Sequence, residues 1–190
     1  GKLSSQSGLI SFGSTANLGT DGIIEIQDGT LQLSDNLSIE GGKFNLADLA
    51  ELNLNNDVSI TSDRALIFGT LEMNNRNLKV TTTEDAELNI KKAFNLNNAS
   101  NLQLNGTNLT FSETAAIAGI LEPSGGTLTF QKGGSVSGTI NSKNSTLVLQ
   151  TENLVYTGLL KTNSGTTLSG ANLLNLSNGT LEVEGSINLD

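Results

Sequence analysis

Apolar residues along the chain recur in short alternating runs, and the clearest runs repeat at a constant spacing. Leu109-Thr110-Phe111, Leu128-Thr129-Phe130 and Leu147-Val148-Leu149 stand 19 residues apart. Alternation with a period of two is typical of a β-strand with one buried face. The three runs therefore predict equivalent strands in successive copies of one structural unit.

Other positions between these strands follow the same repeat. They are one glycine series and two apolar series: Gly119, Gly138 and Gly158; Ile117, Val136 and either Leu154 or Tyr156; and Leu121, Ile140 and Leu160. One unit therefore reads as a strand, a bend, a second strand, a glycine and a third strand. Regular repeats of this length indicate a solenoid, in which each unit packs on its neighbours.

A second pattern, a strand, a polar bend and another strand, spans the whole chain. Its copies begin at Leu31, Leu52, Leu71, Leu88, Leu102 and Leu181 and continue at Leu37, Val58, Leu78, Phe94, Leu109 and Ile187. Four strands begin with Gly-Thr, at Gly29, Gly69, Gly126 and Gly179. Glycine permits positive φ at a sharp corner, and the β-branched threonine favours the strand that follows.

These pairs of strands fit a bend between two sheets better than a β-hairpin. Tight hairpins favour Asn-Gly or Asp-Gly loops, whereas Lys91-Lys92-Ala93 is a poor hairpin turn. We therefore predict an all-β fold, a right-handed parallel β-helix (β-solenoid) with rungs of about 19–21 residues. An antiparallel β-sandwich is the alternative.

Two segments fit the repeat less well. Residues 46–52 have helical spacing and good helix formers, yet Ala50 to Leu54 resembles Ala86 to Ile90, which favours a strand. The register is difficult to follow from Thr166 to Leu176. We expect residues 1–190 to form a single β-solenoid fragment of a larger surface protein, because the chain starts and stops within the pattern.

Composition excludes several kinds of chemistry. The chain has no Cys and no His, so it lacks thiolate nucleophiles, disulfides and the commonest general base. The net charge of −9 disfavours nucleic acid and anionic membranes as partners. No apolar run approaches the length of a membrane span.

The remaining candidates for chemistry are acidic or threonine-rich. The acidic groups are Asp21 with Glu25 and Asp28, Asp57 with Asp63, and Glu182 with Glu184, all of which are simplest as solvated positions. Calcium binding through Asp21, Asp28 and Asp35 lacks the glycine-rich nonapeptide of calcium-binding rolls. Thr81-Thr82-Thr83 and Thr166-Thr167 are isolated, which disfavours ice binding. Asn105, Asn144 and Asn163 are expected at corners, with side chains bonded along the solenoid. We expect no catalytic, metal or cofactor site.

The rung length and the Gly-Thr-Leu starts resemble the β-helical passengers of bacterial autotransporters and filamentous-haemagglutinin-type adhesins. Residues 133–140, Gly-Gly-Ser-Val-Ser-Gly-Thr-Ile, are similar to runs in self-associating autotransporters. The resemblance implies export, scarcity of Cys, and adhesion or aggregation. It carries over no functional residue, since such adhesins share an architecture and not a site motif.

The sequence therefore predicts a non-enzymatic segment of a secreted or cell-surface bacterial adhesin, acting as an extended stalk, an adhesion surface or a self-association surface. Its expected partners are host-cell or neighbouring-cell surface molecules, or a second copy. An outer-membrane anchor would lie in other parts of the protein. The alternative is a glycan-binding or glycan-processing β-helix of the tailspike or lyase type.

Overall fold

A computed structural model describes residues 1–83, 86–149, 154–170 and 178–189. These residues form β-strands joined by short bends, and they contain no helix, so none that could cross a membrane. The strands of the first half are β1 (Lys2–Ser5), β2 (Leu9–Phe12), β3 (Ala16–Leu18), β4 (Ile23–Leu33), β5 (Leu37–Ile39), β6 (Lys43–Leu54), β7 (Val58–Ser62), β8 (Leu66–Phe68), β9 (Thr70–Glu72), β10 (Leu78–Thr82), β11 (Glu87–Ile90) and β12 (Phe94–Leu96). Those of the second half are β13 (Asn101–Asn105), β14 (Asn108–Phe111), β15 (Ala115–Ile117), β16 (Ile120–Ser124), β17 (Thr127–Phe130), β18 (Gly134–Val136), β19 (Thr139–Ser142), β20 (Thr146–Leu149), β21 (Leu154–Tyr156), β22 (Leu159–Thr162), β23 (Thr167–Gly170), β24 (Thr180–Val183) and β25 (Ser186–Leu189).

The chain coils around three faces, and it visits them in the same order in each rung that the structure describes in full. The first face stacks β1, β4, β6, β8, β11, β14, β17, β20, β23 and β25. The second face contains β2, the ends of β4 and β6, β9, β12, β15, β18 and β21. The third face is a nine-stranded sheet of β3, β5, β7, β10, β13, β16, β19, β22 and β24.

Every strand pairing among the described residues is parallel, which confirms the β-solenoid and excludes the antiparallel sandwich. Leu109 pairs with Leu128, and Leu128 pairs with Leu147. Phe111, Phe130 and Leu149 occupy the neighbouring register positions. The predicted stacks at a spacing of 19 are therefore confirmed, and the solenoid makes about eight turns.

One apolar core runs along the inside of the solenoid. Its buried residues extend from Ile24 to Leu168 and come from all three faces. Three phenylalanine rings stack within it, with centroids 5.3 Å apart for Phe94 and Phe111 and 5.1 Å apart for Phe111 and Phe130. Each rung buries too little by itself, so the packing of successive rungs supplies most of the stability.

The structure also settles the register of the second strand in each unit. Ile117 pairs with Val136, and Val136 pairs with Tyr156, so Tyr156 and not Leu154 is the equivalent position. The Tyr156 ring is fully buried, and burial raises the pKa of its phenol. The series of Leu121, Ile140 and Leu160 is confirmed.

The copies of the strand–bend–strand pattern are not equivalent in space. The copy at Leu31 turns from the second face to the third, the copy at Leu88 from the first to the second, and that at Leu102 from the third to the first. The same strand–bend–strand pattern therefore forms all three corners of the solenoid. The strand favoured for residues 46–52 is confirmed and the helical alternative is excluded, since β6 spans Lys43–Leu54.

Glycines at the corners serve two different purposes. Gly29 and Gly126 have φ of 99° and 75°, as predicted for sharp corners. Gly69 and Gly179 do not have positive φ, so the predicted use of positive φ is wrong for both. A β-carbon at Gly69 would instead overlap the carbonyl oxygens of Ala47 and Ala50 in the rung below.

Candidate functional site

The three aspartates considered for calcium lie at three different corners. Asp21 lies in the bend before the first face, Asp28 at the bend within β4, and Asp35 between the second and third faces. Asp35 accepts hydrogen bonds from the backbone N–H groups of Asn36 and Thr15, at 2.7 and 3.1 Å. Both hydrogen bonds lower the pKa of Asp35, and the bond from Asn36 has the larger effect. The structure therefore does not bring these carboxylates together around one ion.

Asp57 and Asp63 lie at opposite ends of β7, and each binds a neighbouring rung. The Asp57 carboxylate accepts bonds from the backbone N–H and the side-chain amide of Asn77, at 2.8 and 3.0 Å. These bonds lower the pKa of Asp57. Asp63 accepts a 2.6 Å bond from the backbone N–H of Gly41. Both side chains therefore act as links between rungs.

Glu182 and Glu184 face outward, as predicted. The Glu182 carboxylate lies 3.5 Å from the ammonium group of Lys161 on the neighbouring strand, and 52% of its side chain is exposed. Glu184 is exposed just after β24. An exposed ion pair of this kind contributes little to stability.

Glu25 has the most strongly shifted carboxyl pKa among the described acids. Its carboxylate forms ion pairs with Lys43 and with Lys2, the latter at 2.9 Å, on either side of it on the first face. Hydrogen bonds from Lys43 and Lys2 lower the pKa of Glu25 to about 2. The sequence did not reveal this ladder, because its members are separated by 23 and 18 residues.

The second face carries a pair of carboxylates that sequence analysis missed. Glu51 and Glu72 extend from adjacent strands, since Glu51 pairs with Thr70 and Asn53 pairs with Glu72. Partial burial, and secondarily repulsion from Glu51, raises the pKa of Glu72. Asn53 donates a 2.8 Å hydrogen bond to Glu51. The two acids are 21 residues apart in the sequence, and their proximity is apparent only when the register of β6 and β9, with partners 19 residues apart, is known.

Asparagine side chains link rungs at several corners, in agreement with the predicted role. Asn163 donates a 2.8 Å bond to Asn141. Asn105 reaches the Thr81 hydroxyl at 3.5 Å. Asn144 has a different role, because its φ of 47° places it in the left-handed region that Asn tolerates at a bend.

An open groove of about 310 Å³ crosses the third face, between β7, β10 and β13. Its polar lining residues are Asp57, Ser59, Asn77, Lys79, Asn101 and Gln103. The side-chain amides of Asn101 and Gln103 donate to Glu122 at 2.9 and 3.0 Å. Both hydrogen bonds hold the pKa of Glu122 below its usual value, and the bond from Asn101 has the larger effect.

The groove can offer hydrogen bonds to a polar ligand through Ser59, Lys79 and those amide atoms of its lining that have no partner within the described part of the chain. Asp57 and Lys79 are the ionisable groups among its described lining residues, and the Asp57 carboxylate already binds Asn77. The arrangement therefore provides a binding surface more readily than an acid and a base placed for proton transfer. Comparison of the chain with protein-family models, curated proteins and solved structures gave no match.

Proposed function

We propose that this chain is a non-enzymatic segment of a secreted or cell-surface bacterial adhesin, serving as an extended stalk and an adhesion surface. The observation that carries the proposal is the single core, which continues from rung to rung and makes the chain a rod. Each rung adds about 4.8 Å of height. Such a rod holds attached domains at a fixed distance from the surface that carries it.

The arrangement of ionisable groups supports a structural role. Asp35, Asp57 and Asp63 bind backbone N–H groups of other rungs, and Glu25 pairs with two lysines. Carboxylates used in this way stabilise the rod and are not free to transfer protons. The partners proposed are surface molecules of host or neighbouring cells, or a second copy of the chain.

A direct test measures adhesion and turnover with the same purified protein. Beads coated with the chain should adhere to each other or to cells, and beads coated with a scrambled-sequence peptide of equal charge should not. Incubation with acidic and neutral glycans should give neither new reducing ends nor unsaturated products. A product that disappears in Glu72→Gln, the variant of the acid with the raised pKa, would overturn the non-enzymatic proposal.

The groove on the third face supports a second candidate, a glycan-binding β-helix. Its amide and hydroxyl lining suits sugar hydroxyls, although its described lining residues include no aromatic ring on which a sugar could stack. A glycan array should separate the two proposals. Binding that is lost in Lys79→Ala and retained in Lys132→Ala, an exposed lysine at a first-face corner, would favour the glycan-binding function.

A further inference from the structure

The first face carries an uncharged array of β-branched side chains over four successive strands, β14, β17, β20 and β23. We define the threonine patch as six outward side chains of four successive strands, Thr110, Thr127, Thr129, Thr146, Val148 and Thr167; the other outward residues of these strands are Asn108 and Ser169. Thr110 pairs with Thr129 and Thr129 with Val148, while Thr127 pairs with Thr146 and Thr146 with Thr167. The patch therefore consists of two parallel columns in unbroken register.

The array is not apparent from the sequence, in which Thr81-Thr82-Thr83 and Thr166-Thr167 are isolated runs and the register of the rungs is not known. The two columns are built from residues 19 to 21 positions apart, and the solenoid brings them into line. Within a column the spacing is that of parallel strands, about 4.8 Å, and the columns are about 6.6 Å apart, two residues along a strand. The backbone under the patch is held in place by four fully buried side chains on the inner side of the same strands, Leu109, Leu128, Leu147 and Leu168.

The threonine patch differs from the rest of the described surface in its charge and its hydrogen bonding. The third face carries Lys79, Glu122, Lys161 and Glu182, and the N-terminal part of the first face carries Glu25 between two lysines. The hydroxyls of Thr110, Thr127, Thr129 and Thr146 make no side-chain hydrogen bond within the described part of the chain, and the four side chains are half-buried at outward positions. The second face of the same rungs presents Ala116, Ser135 and Val155, without a repeated hydroxyl.

We propose that the threonine patch binds the surface of ice. A crystal lattice is recognised by a surface that repeats at the same intervals, and both spacings of the patch are close to repeats of water oxygens in hexagonal ice. Threonine offers a hydroxyl that bonds to water and a methyl group around which water orders. Its stiff χ1 and the fixed sheet beneath mean that little conformational entropy is lost on binding.

The test is the inhibition of ice recrystallisation by the purified chain, with thermal hysteresis as a second readout. The wild-type chain should keep ice grains small at a concentration at which bovine serum albumin does not. Thr129→Lys should lose most of this effect, since a long charged side chain at the centre interrupts both columns. Thr139→Lys, the same change at an outward position of β19 on the third face, should retain it.

Circular dichroism and melting of both variants show whether the solenoid is intact, and the comparison is made between variants with equal melting temperatures. If Thr129→Lys fails to fold, Thr129→Ser, which removes only the methyl group, takes its place. No effect of the wild-type chain on ice, or equal effects of both lysine variants, would overturn the proposal. Concentration-dependent sedimentation abolished by Thr129→Lys, without any activity on ice, would also overturn it and assign the patch to self-association.

Discussion

At the scale of single residues, position within the alternating pattern decides what a side chain does. Leu128 is fully buried between Leu109 and Leu147, whereas Thr129 beside it is turned outward. An inward position therefore contacts the rungs on both sides of it. Outward positions contact solvent and the ends of neighbouring side chains, and they tolerate change more readily.

Leu128→Asp should destabilise the solenoid severely, by more than about 4 kcal/mol, because it places an unpaired charge between two rungs. Glu182→Gln should change the free energy of unfolding by less than about 0.5 kcal/mol, since the side chain is exposed and its ion pair is weak. Chemical denaturation of both variants checks the prediction. Equal, small effects would show that the inward and outward assignments are wrong.

The ladder of Lys2, Glu25 and Lys43 predicts a dependence on pH. A folded pKa of about 2 is below the usual value of 4.5, so the ladder stabilises the fold above pH 4.5. This contribution is lost as the pH falls from about 4.5 to about 2. Titration of the Glu25 carboxyl by NMR should give the low pKa, and Lys43→Gln should raise it towards the usual value. An unchanged pKa in that variant would contradict the assignment.

At the scale of elements, the sequence predicted the strands well and their equivalence less well. The alternation at Leu109, Leu128 and Leu147 gave the correct stack because the spacing is constant over these rungs. In the first half, neighbouring rungs on the first face differ by 20 to 22 residues, as between Ile24 and Phe44 and between Phe44 and Leu66. Corners absorb this difference, so equivalence depends on three-dimensional stacking that a local pattern does not contain.

The same reason explains which features of the surface escaped sequence analysis. The pair of Glu51 and Glu72, the ladder around Glu25 and the threonine patch all join residues one rung apart. Each becomes visible only when the register is known. The absence of His and Cys, by contrast, is independent of register, so the types of chemistry excluded on that ground could be read directly from the sequence.

The repeated glycines Gly119, Gly138 and Gly158 lie at the corners between the second and third faces. Their close packing predicts the effect of a larger residue at these corners. A β-carbon at Gly138 would overlap the carbonyl oxygens of Gly119 and Ala118. Gly138→Ala should therefore destabilise the fold by about 1–3 kcal/mol, as overpacking does. Gly13→Ala is the matched control, because a β-carbon there meets no atom within 4 Å and should leave stability unchanged or slightly increased. Thermal melting of both variants makes the comparison, and equal melting temperatures would contradict the close approach.

At the scale of the whole molecule, the solenoid is modular, because each rung contacts only the rungs above and below. Deletion of residues 128–146 removes one complete rung and joins Thr127 to Leu147, which restores the sequence Thr-Leu at the first face. The shortened chain should fold cooperatively with the same β-sheet circular dichroism, at a lower melting temperature. Deletion of residues 128–137, about half a rung, should abolish cooperative melting because it places outward residues in the core. Similar behaviour of both deletions would contradict the modular architecture.

The direction of the backbone ladder also determines how the molecule responds to force. Hydrogen bonds between parallel strands lie in the sheet and across the strands, so in this solenoid they point along the long axis. Tension between the two ends therefore opens them one rung after another and does not shear a whole sheet at once. Each released rung of about 20 residues extends by about 70 Å. A pulled solenoid of this kind lengthens in many small steps at modest force, and this limits the load transmitted from one end to the other.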